Sequence, residues 1–140
     1  MYNLFFLLSC LFPFATATTT AQVCSSAFAL AKNFAVSVST DTPLRGENVT
    51  TIFDFDLDAP VTGGEALYAV TYNGLPYSTQ SPLCDEVAKS GDPCPLATGH
   101  HHQVSIAENT ITGKLTTKIT WTTEAGQEIL CAQITLKSSA

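Results

Sequence analysis

Thr51-Ile52-Phe53-Asp54-Phe55-Asp56-Leu57-Asp58-Ala59-Pro60 decides the fold class of this chain. Side chains along a strand point alternately to two faces. Thr51, Phe53, Phe55 and Leu57 therefore share one side, and Asp54, Asp56 and Asp58 the other. A row of aromatics facing in and carboxylates facing water is a half-buried antiparallel strand. Pro60 ends it, because proline cannot donate to a ladder.

The same period of two recurs on either side. Phe34, Val36 and Val38 alternate with Ala35, Ser37 and Ser39. After Gly63-Gly64 turns the chain, Tyr68, Val70 and Tyr72 oppose Leu67, Ala69 and Thr71. His100, His102, Val104 and Ile106 alternate with His101, Gln103 and Ser105. Leu115, Thr117, Ile119 and Trp121 form the inward side of another strand, and Glu124-Ala125-Gly126-Gln127 turns into a closing strand over Ile129–Leu136. Helical periodicity is nearly absent; only Ser25–Lys32 reads as either one helical turn or an irregular lead-in. Short Val-, Ile-, Thr- and Phe-rich runs between Gly, Pro, Asn and Asp clusters predict an all-β, immunoglobulin-like sandwich of about seven strands.

The 140 residues, 45% hydrophobic and 13% charged, suit one domain. Met1–Ala21 has an apolar run, Leu4 to Phe14, then small residues offering cleavage sites at Ala15-Thr16-Ala17 and Thr19-Thr20-Ala21. It reads as a secretory signal peptide, since the run is shorter than the ~20 residues of a membrane span. Residues 22–140 are the expected mature domain, secreted or delivered to the lumen of a lysosome or vacuole. All charged residues lie at or after Lys32, with a net charge of −6. No nucleic acid is expected as partner, because clustered Lys and Arg are missing.

Loss of the leader removes Cys10 and leaves Cys24, Cys84, Cys94 and Cys131, two disulfides in an oxidising compartment with three connectivities. Spacing favours local closure of Cys84 with Cys94 and of Cys24 with Cys131 near the two ends. Asn48-Val49-Thr50 is a glycosylation sequon. No nucleophile elbow, phosphate loop or zinc helix is present, so no enzyme activity, cofactor or metal is expected. His100 and His102 share a face but would need a third ligand to hold a metal; they read first as rim histidines, then as pH-responsive groups.

The series Gly74-Leu75-Pro76, Cys84, Pro93-Cys94-Pro95-Leu96, Gly99, Gly113, Trp121, Gly126 and Cys131 resembles the ML lipid-recognition domain family, which includes Niemann-Pick type C2 sterol carriers, fungal phosphatidylglycerol/phosphatidylinositol transfer proteins, plant ML proteins and mite allergens. The likeness spans Cys24 to Leu136 and is strongest at the Cys-Pro-Leu segment and at Thr123-Glu124-Ala125-Gly126-Gln127-Glu128-Ile129-Leu130-Cys131. It implies sheets that splay to admit the apolar part of a lipid, and the same two disulfides. The loop Thr40–Leu44 lacks the extra cysteine common in sterol carriers, which leans towards the plant and fungal branches.

The expected function is a secreted carrier holding one sterol, phospholipid or fatty acid. Its slot would be lined by Val36, Val38, Phe53, Phe55, Tyr68, Val70, Tyr72, Val104, Ile119, Trp121, Ile134 and Leu136. A monomer is expected, with transient contact to a membrane or membrane receptor. The competing reading is a solid-core interaction module that binds a receptor or microbial surface through its loops.

Overall fold

The computed structural model describes residues 19–139; the leader expected at 1–21 lies outside the described residues up to residue 18. Among the described residues, eight strands form two antiparallel sheets, with one short helix. In chain order they are β1 (Thr20–Val23), β2 (Lys32–Val38), β3 (Asn48–Leu57), β4 (Gly64–Tyr72), β5 (Leu75–Pro82), α1 (Leu83–Lys89), β6 (Gly99–Glu108), β7 (Gly113–Thr123) and β8 (Glu128–Ser138). One sheet has the order β1-β8-β7-β4-β5, the other β2-β3-β6. The all-β sandwich expected from alternation is present.

The additions have plain causes. β4 and β5 join through Asn73-Gly74, both at positive φ (46° and 86°), the conformation a two-residue hairpin of this type demands and Asn-Gly supplies. β5 carries Pro76 and Pro82 and tolerates them because it is an edge strand. α1 buries Leu83 and Val87 one turn apart, and places Asp85 and Glu86 in its first turn and Lys89 in its last, charges that suit the helix dipole. Ser25 to Ala31 is an irregular lead-in. Gly64 (φ +144°) crosses against Thr122, where a Cβ would lie 1.9 Å from the carbonyl oxygen, so only glycine lets β4 pair with the bulged end of β7.

Packing differs between the two ends of the sandwich. At one end Phe53, Phe55, Leu57, Val61, Ala66, Leu83, Val87, Leu96, Trp121, Ile129 and Leu130 form a closed core. Trp121 reaches from the five-stranded sheet to Phe53 (5.6 Å between centroids) and Phe55 (6.0 Å), while Phe34 packs edge-on to Phe53 (5.3 Å), arrangements worth more than their area alone. At the other end the inward side chains of the same strands, Val38, Val49, Thr51, Val70, Tyr72, Leu115, Thr117 and Ile134, are only half-buried.

Cys24 is bonded to Cys131 and Cys84 to Cys94, 107 and 10 residues apart. The first ties the segment after β1 to β8, and the second ties α1 to the loop entering β6. If loop closure governs their worth, Cys24→Ser/Cys131→Ser should lower unfolding free energy by about 4–5 kcal/mol, and Cys84→Ser/Cys94→Ser by less than about 3 kcal/mol. Urea denaturation of the two double variants measures this; equal losses would contradict the loop-length account.

Candidate functional site

Two adjoining chambers lie between the sheets, one at the loosely packed end and one where that end meets the closed core. The larger, about 270 Å³, is walled by Val49, Ala107, Ile111, Leu115, Ile134 and Leu136 among others. The smaller, about 130 Å³, lies towards α1 and is bordered by Phe53, Trp121, Gln103, Glu86, Lys89 and Ser90. Thr51, Tyr68, Ser105 and Ile119 border both, so the chambers adjoin and are treated together as a slot.

Each wall follows from strand register. Phe53 of β3 faces Gln103 of β6, Thr51 faces Ser105 and Phe55 faces His101, and residues directly opposite in an antiparallel pair share a face. Tyr68 faces Ile119 and Ala66 faces Trp121, while Ile119, Thr117 and Leu115 face Ala132, Ile134 and Leu136. At the mouth, buried Asn109 holds the loop before β7: its amide nitrogen donates to the Leu44 carbonyl (3.1 Å) and to Ser138 Oγ (2.7 Å), and its oxygen accepts from Ile111 N–H (3.3 Å).

The residues named from sequence divide accordingly. Tyr68 and Ile119 border both chambers, Phe53 and Trp121 the inner one, Ile134 and Leu136 the outer one. Phe55 sits wholly inside the closed core, and Val36 packs against that core. Val38, Val70 and Tyr72 lie on the inner faces outside the chambers; Tyr72 donates its hydroxyl to the Thr112 carbonyl (3.0 Å). Val104 belongs to the opposite face. It pairs with Ile52, and its neighbour Ile106 is 65% exposed, so the inner face of β6 is His101, Gln103, Ser105 and Ala107. Alternation on β6 misleads because the buried side is the polar one. His101 places Nδ1 2.7 Å from Asp92 and Nε2 2.7 Å from the Ala97 carbonyl, and Gln103 donates to Asp92 (2.6 Å). Buried polar groups of this kind are tolerated when they are hydrogen-bonded.

The wall under α1 has its own network. Glu86 accepts from Tyr68 Oη (2.7 Å), Ser81 Oγ (2.5 Å) and Lys89 Nζ (2.8 Å). Burial opposes its charge, but these bonds outweigh it and hold its carboxyl below the usual carboxylate range. Burial first, then the bond to Glu86 and its charge, push the Tyr68 phenol well above its ordinary value. Lys89, Ser90, Gln103 and Ser105 were missed from sequence; the signal available was the period-four pair Leu83/Val87, which marks α1 and its exposed flank.

The sequence profile of the ML domain matches residues 18–138. The chain belongs to the ML domain family. Among solved structures of similar fold, a Niemann-Pick type C2 protein from Japanese carpenter ant superposes with a TM-score of 0.61 at 17% identity, covering 86% of this chain and 99% of that one. Chicken MD-1 complexed with lipid IVa gives 0.62 at 17% identity, covering 87% and 90%. No curated protein matches the sequence significantly.

The remaining histidines of this ML domain lie outside the sandwich, away from the slot. His100 donates Nδ1–H to Asp56 (2.8 Å) and His102 to Asp54 (2.6 Å), while Asn33 also donates to Asp56 (2.9 Å). Among the described residues, no group of three such side chains is arranged to hold a metal ion. The bond to Asp56, aided by the charges of Asp56 and Asp54, raises the His100 pKa above its ordinary 6.5. The bonds from His102 to Asp54, and from Asn33 and His100 to Asp56, lower those carboxyls below 3.8.

The signs follow from linkage. The His100 contribution is complete below pH 6.5 and is lost as pH rises through its raised pKa; those of the aspartates are complete above 3.8 and are lost as pH falls through their lowered values. An NMR titration of His100 should have a midpoint above 6.5 that falls back towards it in Asp56→Ala. An unchanged midpoint would contradict the pairing.

Proposed function

We propose that this ML domain is a non-enzymatic lipid carrier that works in an oxidising compartment and holds one lipid in the slot between its sheets. The observation that carries this reading is the half-buried apolar lining of the outer chamber, about 270 Å³ and adjoining a second one under α1. Apolar side chains left open to a concave space gain free energy when an alkyl group covers them. Each CH₂ contributes about 0.8 kcal/mol, so some ten methylenes supply about 8 kcal/mol, the free energy of a micromolar Kd before ordering costs. The lipid held by MD-1 supports the same reading. The slot lies within the size range of small-ligand sites, and suits a single-chain or compact lipid without further parting of the sheets.

Ser105 lies on the inner face of β6 and borders both chambers. Ser105→Phe should fill the slot, lower the affinity for a fluorescent fatty acid at least about tenfold and leave the thermal midpoint unchanged or higher, since added contacts replace a void. Ile106→Asp, one residue along on the outer face, should bind like wild type. Undiminished binding by a folded Ser105→Phe protein would place the lipid elsewhere or point to the interaction-module reading.

Delivery outside the cytosol rests on the two disulfides and on the leader, with exposed Asn48 open to glycosylation. β1 selects between the two cleavage sites. Thr19 is buried and donates its N–H to the Asp41 carbonyl (2.7 Å), and Thr20–Val23 pair with Ala132–Thr135. Cleavage after Ala17 keeps this strand whole, whereas cleavage after Ala21 removes half of it. N-terminal sequencing of the secreted protein should begin at Thr18; a start at Gln22 would show that β1 is dispensable.

A further inference from the structure

The five-stranded sheet has a second face, turned away from the slot. Strand register fixes its members. Leu115, Thr117, Ile119 and Trp121 of β7 line the chambers, so Lys114, Thr116, Lys118 and Thr120 point outward. Lys114 stands directly opposite Lys137 of β8, and Thr116 opposite Thr135. The threonine row runs on across the sheet, because Thr135 also faces Thr20 of β1 and Thr116 faces Thr71 of β4. Two residues along, Lys118 lies between Gln133 and Ala69, with Ser78 of β5 beyond.

Folding alone does not account for this arrangement. Like charges directly opposite in an antiparallel pair, with Cβ atoms only about 5 Å apart, cost stability. Lys114 and Lys137 nonetheless form such a pair, and Lys118 follows on the same side of β7, about 13 Å from Lys114 at the rise of an extended strand. Among the described residues none of these three lysines reaches a carboxylate. The carboxylates of the face, Glu65 and Glu128, stand at its opposite end beside Thr122. Three of the six basic residues in a chain of net charge −6 are thus gathered in one strip.

Beside Lys118 the face is concave. Ala69 and Ser78 are short, and a shallow depression of about 490 Å³ opens over them, bordered also by Leu67, Gln80, Lys118 and Thr120. The chemistry selects the partner. A bilayer takes up apolar side chains, yet of the exposed large apolar residues only Leu67, at 38%, belongs to this face; Leu75 and Tyr77 pair with Tyr72 and Val70 on the inner side. The face offers instead spaced ammoniums set among hydroxyls and amides, groups that donate to and accept from sugar hydroxyls. A polymer that repeats both anions and hydroxyls matches the strip and the depression together.

We propose that the outer face of the five-stranded sheet binds an acidic polysaccharide, its anionic groups at Lys114, Lys137 and Lys118 and one sugar in the depression beside Lys118. This goes beyond the carrier reading and does not rest on it. The slot lies on the other side of the sheet, so the protein can be held on the polymer with its lipid in place.

The mature protein is titrated at low salt with heparin, whose charge is mainly sulfate, and with polygalacturonate, whose charge is carboxylate. Neutral dextran and phosphatidylcholine/phosphatidylserine vesicles run alongside. At least one acidic glycan should bind, and dextran should not; because the protein is itself anionic, attraction by net charge cannot produce this result. Added salt should weaken binding, since ammoniums displace the counterions of a polyanion. Lys114→Gln/Lys137→Gln should lower affinity about fivefold, the worth of two exposed ion contacts. Lys32→Gln/Arg45→Gln, the same change of net charge on other surfaces, should bind like wild type. If the first variant fails to fold, protection from acetylation decides: bound glycan should shield Lys114, Lys118 and Lys137 of the wild type and leave Lys32 reactive. No binding of either glycan, equal losses in the two double variants, or binding to the vesicles in place of the glycans overturns the proposal, and each of these outcomes leaves the lipid reading where it stands.

Discussion

Three strands cannot cover the inner face of five. Strands in a sheet lie about 4.8 Å apart, so the β2-β3-β6 sheet is some two strand-widths narrower than the β1-β8-β7-β4-β5 sheet that it faces. The excess inner surface has to meet something other than a sheet. At one end α1, the Leu96 segment and the aromatic group of Phe34, Phe53, Phe55 and Trp121 supply the missing cover and produce a solid core. Beyond α1, towards the other end, the same strands leave their inward side chains facing a slot. Filled core and slot are therefore two consequences of one mismatch, shared out along the strand direction.

The mismatch also explains why the interior is not uniformly apolar. β6 is the edge of the narrow sheet, and the segment that returns from α1 passes beside it, bringing Asp92 to His101 and Gln103. The last two strands of the wide sheet, β4 and β5, bring Tyr68 and Ser81 to Glu86 on the helix. Each network fastens α1, or the chain that follows it, to one of the sheets, and the Cys84–Cys94 bond joins helix to loop. The polar interior is thus the seam where the extra cover is attached, and the slot inherits a polar inner end and an apolar outer one.

Much of this was legible in the sequence, for a definable reason. Where one face of a strand is apolar and the other polar, as in Thr51–Asp58 and Leu115–Trp121, alternation names the inward residues, and Phe53, Ile119 and Trp121 border the slot as that pattern requires. On β6 the rule inverts. His101 and Gln103 are acceptable inside only because Asp92 meets them, a partner that period-two counting does not register, and Val104 and Ile106 then fall outside. The β4–β5 hairpin was announced by Asn73-Gly74 but masked by the prolines that an edge strand tolerates. A seven-residue α1 offers a single period-four pair, too little to stand out against turn residues. The residues at the inner end of the slot came from these less legible elements, which is why the list read from sequence was apolar and the chamber is not.

The central claim is that the space between the sheets is a lipid site rather than loose packing. Native mass spectrometry of the protein purified from the medium of secreting cells, without added lipid or detergent, tests it most directly. The account requires a population one lipid heavier than the polypeptide, at one lipid per chain, that reverts to the bare mass on collisional activation. A single species at the polypeptide mass that also gains nothing after incubation with an excess of lipid extract would contradict it.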